Sequence, residues 1–180
     1  WVKENNENKG RWYVKNGDRD IYANKPGGYV PGRGDYLTSR LSVNIQNYKN
    51  YFVPSFSLGA AVILNNGYFK RDIGIAWEPN FFFSKNAQGD LKTYRNDFLT
   101  LSYGQGFLKG NDPRKESPFL FTFSFGYLIY RQGDYYEKNT MRIGLGQLSL
   151  FEGKTKIEPI MYFNDFFKGV TPGIRWSQSF

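Results

Sequence analysis

From residue 35 onward, apolar and polar residues alternate along the chain. In PFLFTFSFGYLIYRQ, residues 118–132, Phe119, Phe121, Phe123, Phe125, Tyr127 and Ile129 occupy every second position. Between them lie Leu120, Thr122, Ser124, Gly126, Leu128 and Tyr130, a smaller and more mixed set. A period of two belongs to a β-strand, whose successive side chains point to opposite faces. YLTSRLSVNIQ sets Leu37, Leu41, Val43 and Ile45 against Thr38, Arg40, Ser42, Asn44 and Gln46. YFVPSFSLGAAVIL puts Phe52, Pro54, Phe56, Leu58, Ala60, Val62 and Leu64 on one face. FKRDIGIAWEPNFFF, DFLTLSYGQGF, NTMRIGLGQLSL, KIEPIMYFND and VTPGIRWSQSF repeat the rhythm, which makes eight predicted strands. Most run 10–15 residues, longer than the usual strand of about 5–6.

The connections read as turns and short loops. NNG at 65–67, KGNDPRKES at 109–117 and FEGK at 151–154 fall at one end of the strands. Residues 47–50, 85–96, 131–139 and 165–169 fall at the other, and KNAQGDLKTYRND is the longest candidate loop. Residues 1–34 carry no such alternation; rich in Asn, Lys, Gly and Pro, they read as a polar basic arm or linker with room for one short hairpin around NGD at 16–18. The RGD at 33–35 reads as the turn into the first strand. Pro54, Pro79, Pro159 and Pro172 lie inside strands, where each removes a ladder donor, so bulges or weakened pairing are expected there.

Alternation alone does not say which face is inside; volume does. An eight-stranded barrel is just wide enough for side chains to fill it. The summed Phe, Trp, Ile, Leu and Met of the apolar face do not fit in that space, whereas the Gly, Ser, Thr, Asn and few charges of the other face do. The apolar face therefore points outward, and an apolar surface of that extent belongs in lipid or an interface. A closed barrel satisfies every backbone group inside a bilayer. About ten tilted residues per strand cross an apolar band of about 25 Å. The expected fold class is all-β, a closed antiparallel eight-stranded transmembrane barrel with up-and-down connections over residues 35–180, preceded by a mostly irregular arm.

On this pattern, residues 35–180 resemble small eight-stranded outer-membrane β-barrels of the OmpA-type architecture, with loops in the style of Bacteroidota. The terminal GIRWSQSF places Ile174, Trp176 and Phe180 on one face and is similar to the C-terminal signal read by the barrel assembly machinery. The resemblance implies the outer membrane of a Gram-negative bacterium, both termini periplasmic. It implies contact with outer-membrane lipid and lipopolysaccharide, and with the assembly machinery during biogenesis.

Composition narrows the chemistry. The chain has 180 residues, no Cys and no His, which removes disulfides, cysteine-based zinc sites and every histidine-dependent triad or dyad. The small-barrel lipid A deacylases, palmitoyltransferases and outer-membrane proteases all use a histidine, so resemblance to them stops at architecture. Aromatics reach 19 %, while mean hydropathy is only −0.58, so apolar residues sit in stripes and no apolar run of about 18 residues predicts a transmembrane helix. Net charge is +8 without a concentrated basic face, which argues against nucleic acid as a partner. The chain opens on Trp1 rather than Met, as expected of a processed form or a piece of a longer chain.

The inward set contains Arg40, Lys70, Asp72, Glu78, Arg142, Lys156, Glu158 and Arg175. Two readings compete: a polar conduit or acid–base site, and a plug of paired charges. Unpaired buried charge is expensive, which favours the plug. Arg40, Glu78, Arg142, Glu158 and Arg175 are the candidate lumen network. GLGQ and YGQGF are not phosphate loops, because no helix follows them. No cofactor, metal or catalytic residue is expected. The leading functional expectation is a non-enzymatic outer-membrane anchor or scaffold, an accessory subunit of a larger envelope complex with other envelope proteins as partners. The alternatives are a narrow pore or lateral lipid conduit and, more weakly, a histidine-free enzyme modifying lipid A.

Overall fold

The structure is a computed structural model that describes residues 35–65, 69–85, 88–107, 119–151, 154–165 and 167–180. It is all-β: a closed eight-stranded antiparallel barrel with up-and-down order, and no helix among the described residues. The elements are β1 (Tyr36–Tyr48), β2 (Tyr51–Asn65), β3 (Phe69–Lys85), β4 (Leu91–Phe107) and β5 (Phe119–Tyr130). They continue with β6 (Met141–Leu145), β7 (Leu148–Leu150), β8 (Thr155–Asn164) and β9 (Gly169–Ser179). β1 pairs with β9, and β6 pairs with both β5 and β8, which closes the ring. The expected sixth strand is thus one stave in two segments, broken at Gly146, whose φ of +75° suits a residue without Cβ.

Burial alternates with the sequence. Leu37, Leu41, Val43, Ile45, Leu58, Val62, Ile73, Ile75, Leu99 and Leu101 are exposed, while their neighbours along each strand turn into the lumen. Ile174, Trp176 and Phe180 lie exposed at the end of the chain, and the Phe180 amide donates to the Leu41 carbonyl at 3.1 Å. In the opening stripe, Phe121 and Ile129 are exposed and Phe123, Phe125 and Tyr127 half-buried, against buried Thr122, Ser124, Gly126 and Leu128. The side chain of Phe119 lies outside the described residues, as do the arm at 1–34 and the whole of 109–117.

One expectation needs correction, and another holds in one of its two forms, with weakened pairing rather than bulges at the prolines. Residues 91–96 are not loop: β3 and β4 pair from Phe69↔Phe107 up to Lys85↔Leu91, a long hairpin with only 86–90 as its connection. The register shifts found in β4–β5, at Asp97/Phe98 and Gln105/Gly106, are not at prolines. Each proline instead sits where one of its strand's two ladders is interrupted. The β2–β3 ladder begins at Ser55, beside Pro54, and skips Pro79; β1–β9 stops at Gln46↔Arg175, short of Pro172; Pro159 falls between the stretches of β8 that pair with β6 and β7. A proline keeps one neighbour in register and lacks only the donor on its other side.

Close approach of strands is set by small residues. A Cβ on Gly59 would lie 2.3 Å from the Ile75 carbonyl oxygen and 2.7 Å from the Ala76 Cβ. Gly59→Val is therefore expected to lower stability by about 1–3 kcal/mol through backbone displacement. Urea unfolding of the lipid-reconstituted barrel measures it.

Candidate functional site: the barrel lumen

The described chain ends share one end of the barrel with Asn65, Phe69, Phe107 and Leu150, called here the terminal end; Tyr48, Tyr51, Lys85, Leu91, Tyr130, Met141, Asn164 and Gly169 share the other, the loop end. Between them the lumen has three tiers.

The loop end is closed by aromatic rings. Tyr48, Val53, Phe82, Phe98, Leu128, Ile160 and Tyr162 project inward from the strands, and Tyr136 joins them from the connection between β5 and β6. Tyr136 sits 4.5 Å from Tyr48, 5.1 Å from Phe98, 5.2 Å from Phe82 and 5.7 Å from Tyr162, centroid to centroid. Beside it Tyr135 stacks on Phe82 at 4.3 Å. The fold holds the connection in place: the Leu128 amide donates to the Thr140 carbonyl at 3.1 Å, and Thr140 Oγ1 donates to the Glu137 carbonyl at 2.8 Å. Burial keeps the Tyr136 hydroxyl neutral, its pKa pushed well above the usual tyrosine value.

The middle tier is a charge network in which Arg142, Glu78 and Glu158 are buried and Arg175 is mostly so. Arg142 forks onto Glu78, with Nη1 to Oε1 and Nη2 to Oε2 both at 2.8 Å. Arg175 Nη1 donates to Glu78 Oε2 at 3.1 Å, and its other terminal nitrogen is paired with Glu158. Two arginines and two glutamates from β6, β9, β3 and β8 thus balance. Arg142 also donates to Gln46 Oε1 at 2.8 Å and Thr100 Oγ1 at 3.1 Å, and its guanidinium lies 5.1 Å from the Phe98 ring. The second oxygen of Glu158 accepts from Ser124 Oγ at 2.8 Å. Gly144 makes room for that carboxylate: a Cβ there would stand 2.2 Å from Glu158 Oε1. Side chains from opposing walls meet in mid-lumen and block it.

Below the network, a polar cavity of about 140 Å³ opens toward the terminal end, lined by Ser42, Ser57, Gly74, Ser102, Thr122 and Lys156 among others. Arg40 lies here. Sequence reasoning grouped it with the network, but it forks onto Asp72, with Nη1 to Oδ1 at 3.0 Å and the second contact through Nη2. Arg40 forms no ion pair with Glu78 or Glu158 in the described structure. The physical reason is level: Asp72 lies six residues nearer the terminal end of β3 than Glu78, and β2 between them offers only small Gly59 and Ala61.

Glu78, Arg142, Glu158 and Arg175 therefore come together, while Arg40 does not join them. The aromatic tier was missed from sequence. Its trace is the break in polarity of the inward set near the loop end, at Phe82 within FFF and Tyr162 within MYF. Among the described residues no group of His, Cys, Asp and Glu is arranged to hold a metal ion. Compared with known protein families, curated proteins and solved structures, the chain shows no significant match to any, so a functional reading rests on its lumen and wall.

Proposed function

We propose that this chain is a non-enzymatic outer-membrane barrel of a Gram-negative bacterium that anchors or scaffolds, as an accessory subunit of a larger envelope complex. The observation that carries this reading is an apolar outer wall around a lumen blocked by paired charges and packed rings. On β3 and β4 the apolar wall is bracketed by outward arginines, Arg71 near one rim and Arg95, opposite Phe81, near the other. The ten-residue rise from Arg71 to Phe81, at about 3.3 Å each and tilted about 40°, spans about 25 Å, the height of a bilayer's apolar band. Near the Arg95 rim, Trp77 Nε1 donates to Asp97 at 3.1 Å, Arg95 pairs with Asp97 at 3.0 Å, and Arg95 lies 5.0 Å from the Tyr130 ring. Indole, phenol and guanidinium together suit a membrane–water interface. A barrel with a blocked lumen contributes position rather than passage.

The test is twofold. A mild-detergent pull-down is expected to recover other envelope proteins with the barrel; recovery of the barrel alone, with and without residues 1–34, counts against a scaffold. In planar bilayers the chain is expected to show no steady nanosiemens-scale openings, and such openings would sink the plug. Replacing both Tyr135 and Tyr136 by Ala removes the two rings that the β5–β6 connection adds to the loop-end tier while leaving Arg142 and Glu78 in place, so that variant is expected to stay non-conducting as well.

A further inference from the structure

The ladder between β1 and β9 closes only part of its seam. It runs from Ser42↔Ser179 to Gln46↔Arg175, whereas β1 continues to Tyr48 and residues 169–174 of β9 pair with β8 alone. The backbones still come close, since a Cβ on Gly173 would lie 2.4 Å from the Asn47 carbonyl oxygen. The Phe180 amide donates to Leu41, and strand alternation turns every second residue before it, Pro172 among them, toward the same side. Pro172 has no amide to offer there, so an added strand would find no donor at that point. The opening suits side chains rather than another strand.

On the outer wall the opened seam is a groove of about 550 Å³, lined by Ile45, Asn47, Phe52, Pro172, Ile174 and Trp176 among others. Its β2 rim carries a projecting ring: Phe52 is 79 % exposed, more than any other large apolar side chain described within the strands. Ring and groove also stand at nearly one height. From Leu41, cross-strand partners lead through Leu58, Trp77, Leu99, Tyr127, Met141 and Phe163 to Val170, near the loop end of β9, whereas Leu41 itself adjoins Phe180. Each step in the direction β1 to β2 therefore climbs toward the loop end, by about 3 Å for a spacing of about 4.8 Å and a tilt of about 40°. Phe52, opposite Asn47, stands above it; Ile174, which the extended β9 register sets beside Asn47, stands below. Pro172, two residues further up β9, returns to within about 2 Å of the height of Phe52.

We propose that the wall at the β1–β9 seam is an interface between two copies of this chain, with Phe52 of each copy seated in the groove of the other. A two-fold axis along the membrane normal, passing beside Phe52, exchanges ring and groove because they are neighbours at one height. The contact is isologous, one patch meeting itself, and it keeps both copies upright in the same bilayer. Each Phe52 ring lies over Asn47 of the other copy, between that copy's own Phe52 and Pro172. A second copy fills the groove and covers the ring in a single contact; an acyl chain in the groove would leave the ring projecting. Within lipid the gain is one of packing, since acyl chains are as apolar as the wall. This inference rests on the membrane reading above. It is independent of whether other envelope proteins join the barrel.

The test places donor- and acceptor-labelled copies of the full chain together in phosphatidylglycerol vesicles and follows energy transfer on dilution with lipid. The chain has no cysteine of its own, so a single Lys138→Cys at an exposed loop-end position carries the dye. Transfer above the level of random encounter is expected. Phe52→Ala removes the ring, and Asn47→Trp fills the groove from its floor. Each is expected to weaken the pair about tenfold, because two aromatic contacts are lost per pair, with the heat-modifiable gel shift unchanged. Either variant alone reads the interface if the other fails to fold. Mixing them tests the geometry: a Phe52→Ala copy keeps its groove and an Asn47→Trp copy keeps its ring. One contact of the two survives in the mixed pair, which should associate about threefold more tightly than either variant with itself. Random-level transfer by the unaltered chain overturns the proposal, as does a pair that both substitutions leave intact. Absence of any gain on mixing overturns it too. Failure of the chain to insert into vesicles refutes the membrane reading itself.

Discussion

Glu78→Ala is expected to destabilise the barrel by about 3–5 kcal/mol, the range for breaking a buried ion pair from one side. Glu78 accepts from both terminal nitrogens of Arg142 and from one of Arg175, and Arg142 is fully buried. Removing the carboxylate leaves the guanidinium with Gln46 and Thr100, neutral acceptors that do not balance its charge. Urea titration of the reconstituted protein, followed by tryptophan fluorescence and by the heat-modifiable gel shift, measures the loss. The paired variant Glu78→Leu/Arg142→Met separates pairing from mere size. It removes one charge of each sign and leaves Arg175 on Glu158, so most of the lost stability should return. A loss below about 1 kcal/mol for Glu78→Ala would mean that lumen water solvates the charges, and the plug would not stand.

The second large effect lies on the opposite face of the same strand. Ile75 points outward, half exposed, opposite Leu101 and midway between the bracketing arginines. In lipid, Ile75→Arg should cost about 2–4 kcal/mol, falling to about 0–1 kcal/mol for Leu37→Arg near the rim. A water-facing wall gives a different result: substitutions at half-exposed positions would stay within about 0.5 kcal/mol of neutral wherever they fall. The depth dependence therefore reads out the solvent of the wall directly. Equal and small effects at Ile75 and Leu37 would remove the membrane reading, whatever the lumen contains.

These two residues mark what was legible beforehand. Ile75 and Glu78 lie on opposite faces of FKRDIGIAWEPNFFF, and a period-two count alone separates them. Volume then assigns inside and outside, because Phe, Trp and Ile in that number do not fit an eight-stranded lumen. Strand-end positions were less legible. The polar residues 91–96 resemble loop, yet the β3–β4 ladder continues through them, since pairing past the apolar band depends on backbone hydrogen bonds rather than side-chain polarity. The break at Gly146 left only GLG as its trace, which equally fits a strand glycine relieving crowding.

The sequence by itself determined the strands, their two faces, the outward stripe of Phe121, Phe123, Phe125, Tyr127 and Ile129, and the inward placement of Glu78, Arg142, Glu158 and Arg175. The strands and their two faces follow from the pleat within one strand, and the choice of outward face follows from side-chain volume summed over all the strands. Only the tertiary structure decided that Arg142 of β6 meets Glu78 of β3, that Arg40 stops at Asp72, that Tyr136 folds in over the loop end, and that β7 leaves β5. Those outcomes depend on strand stagger and on ring closure. Stagger sets the level at which each inward side chain enters a shared lumen, and no single strand carries that information.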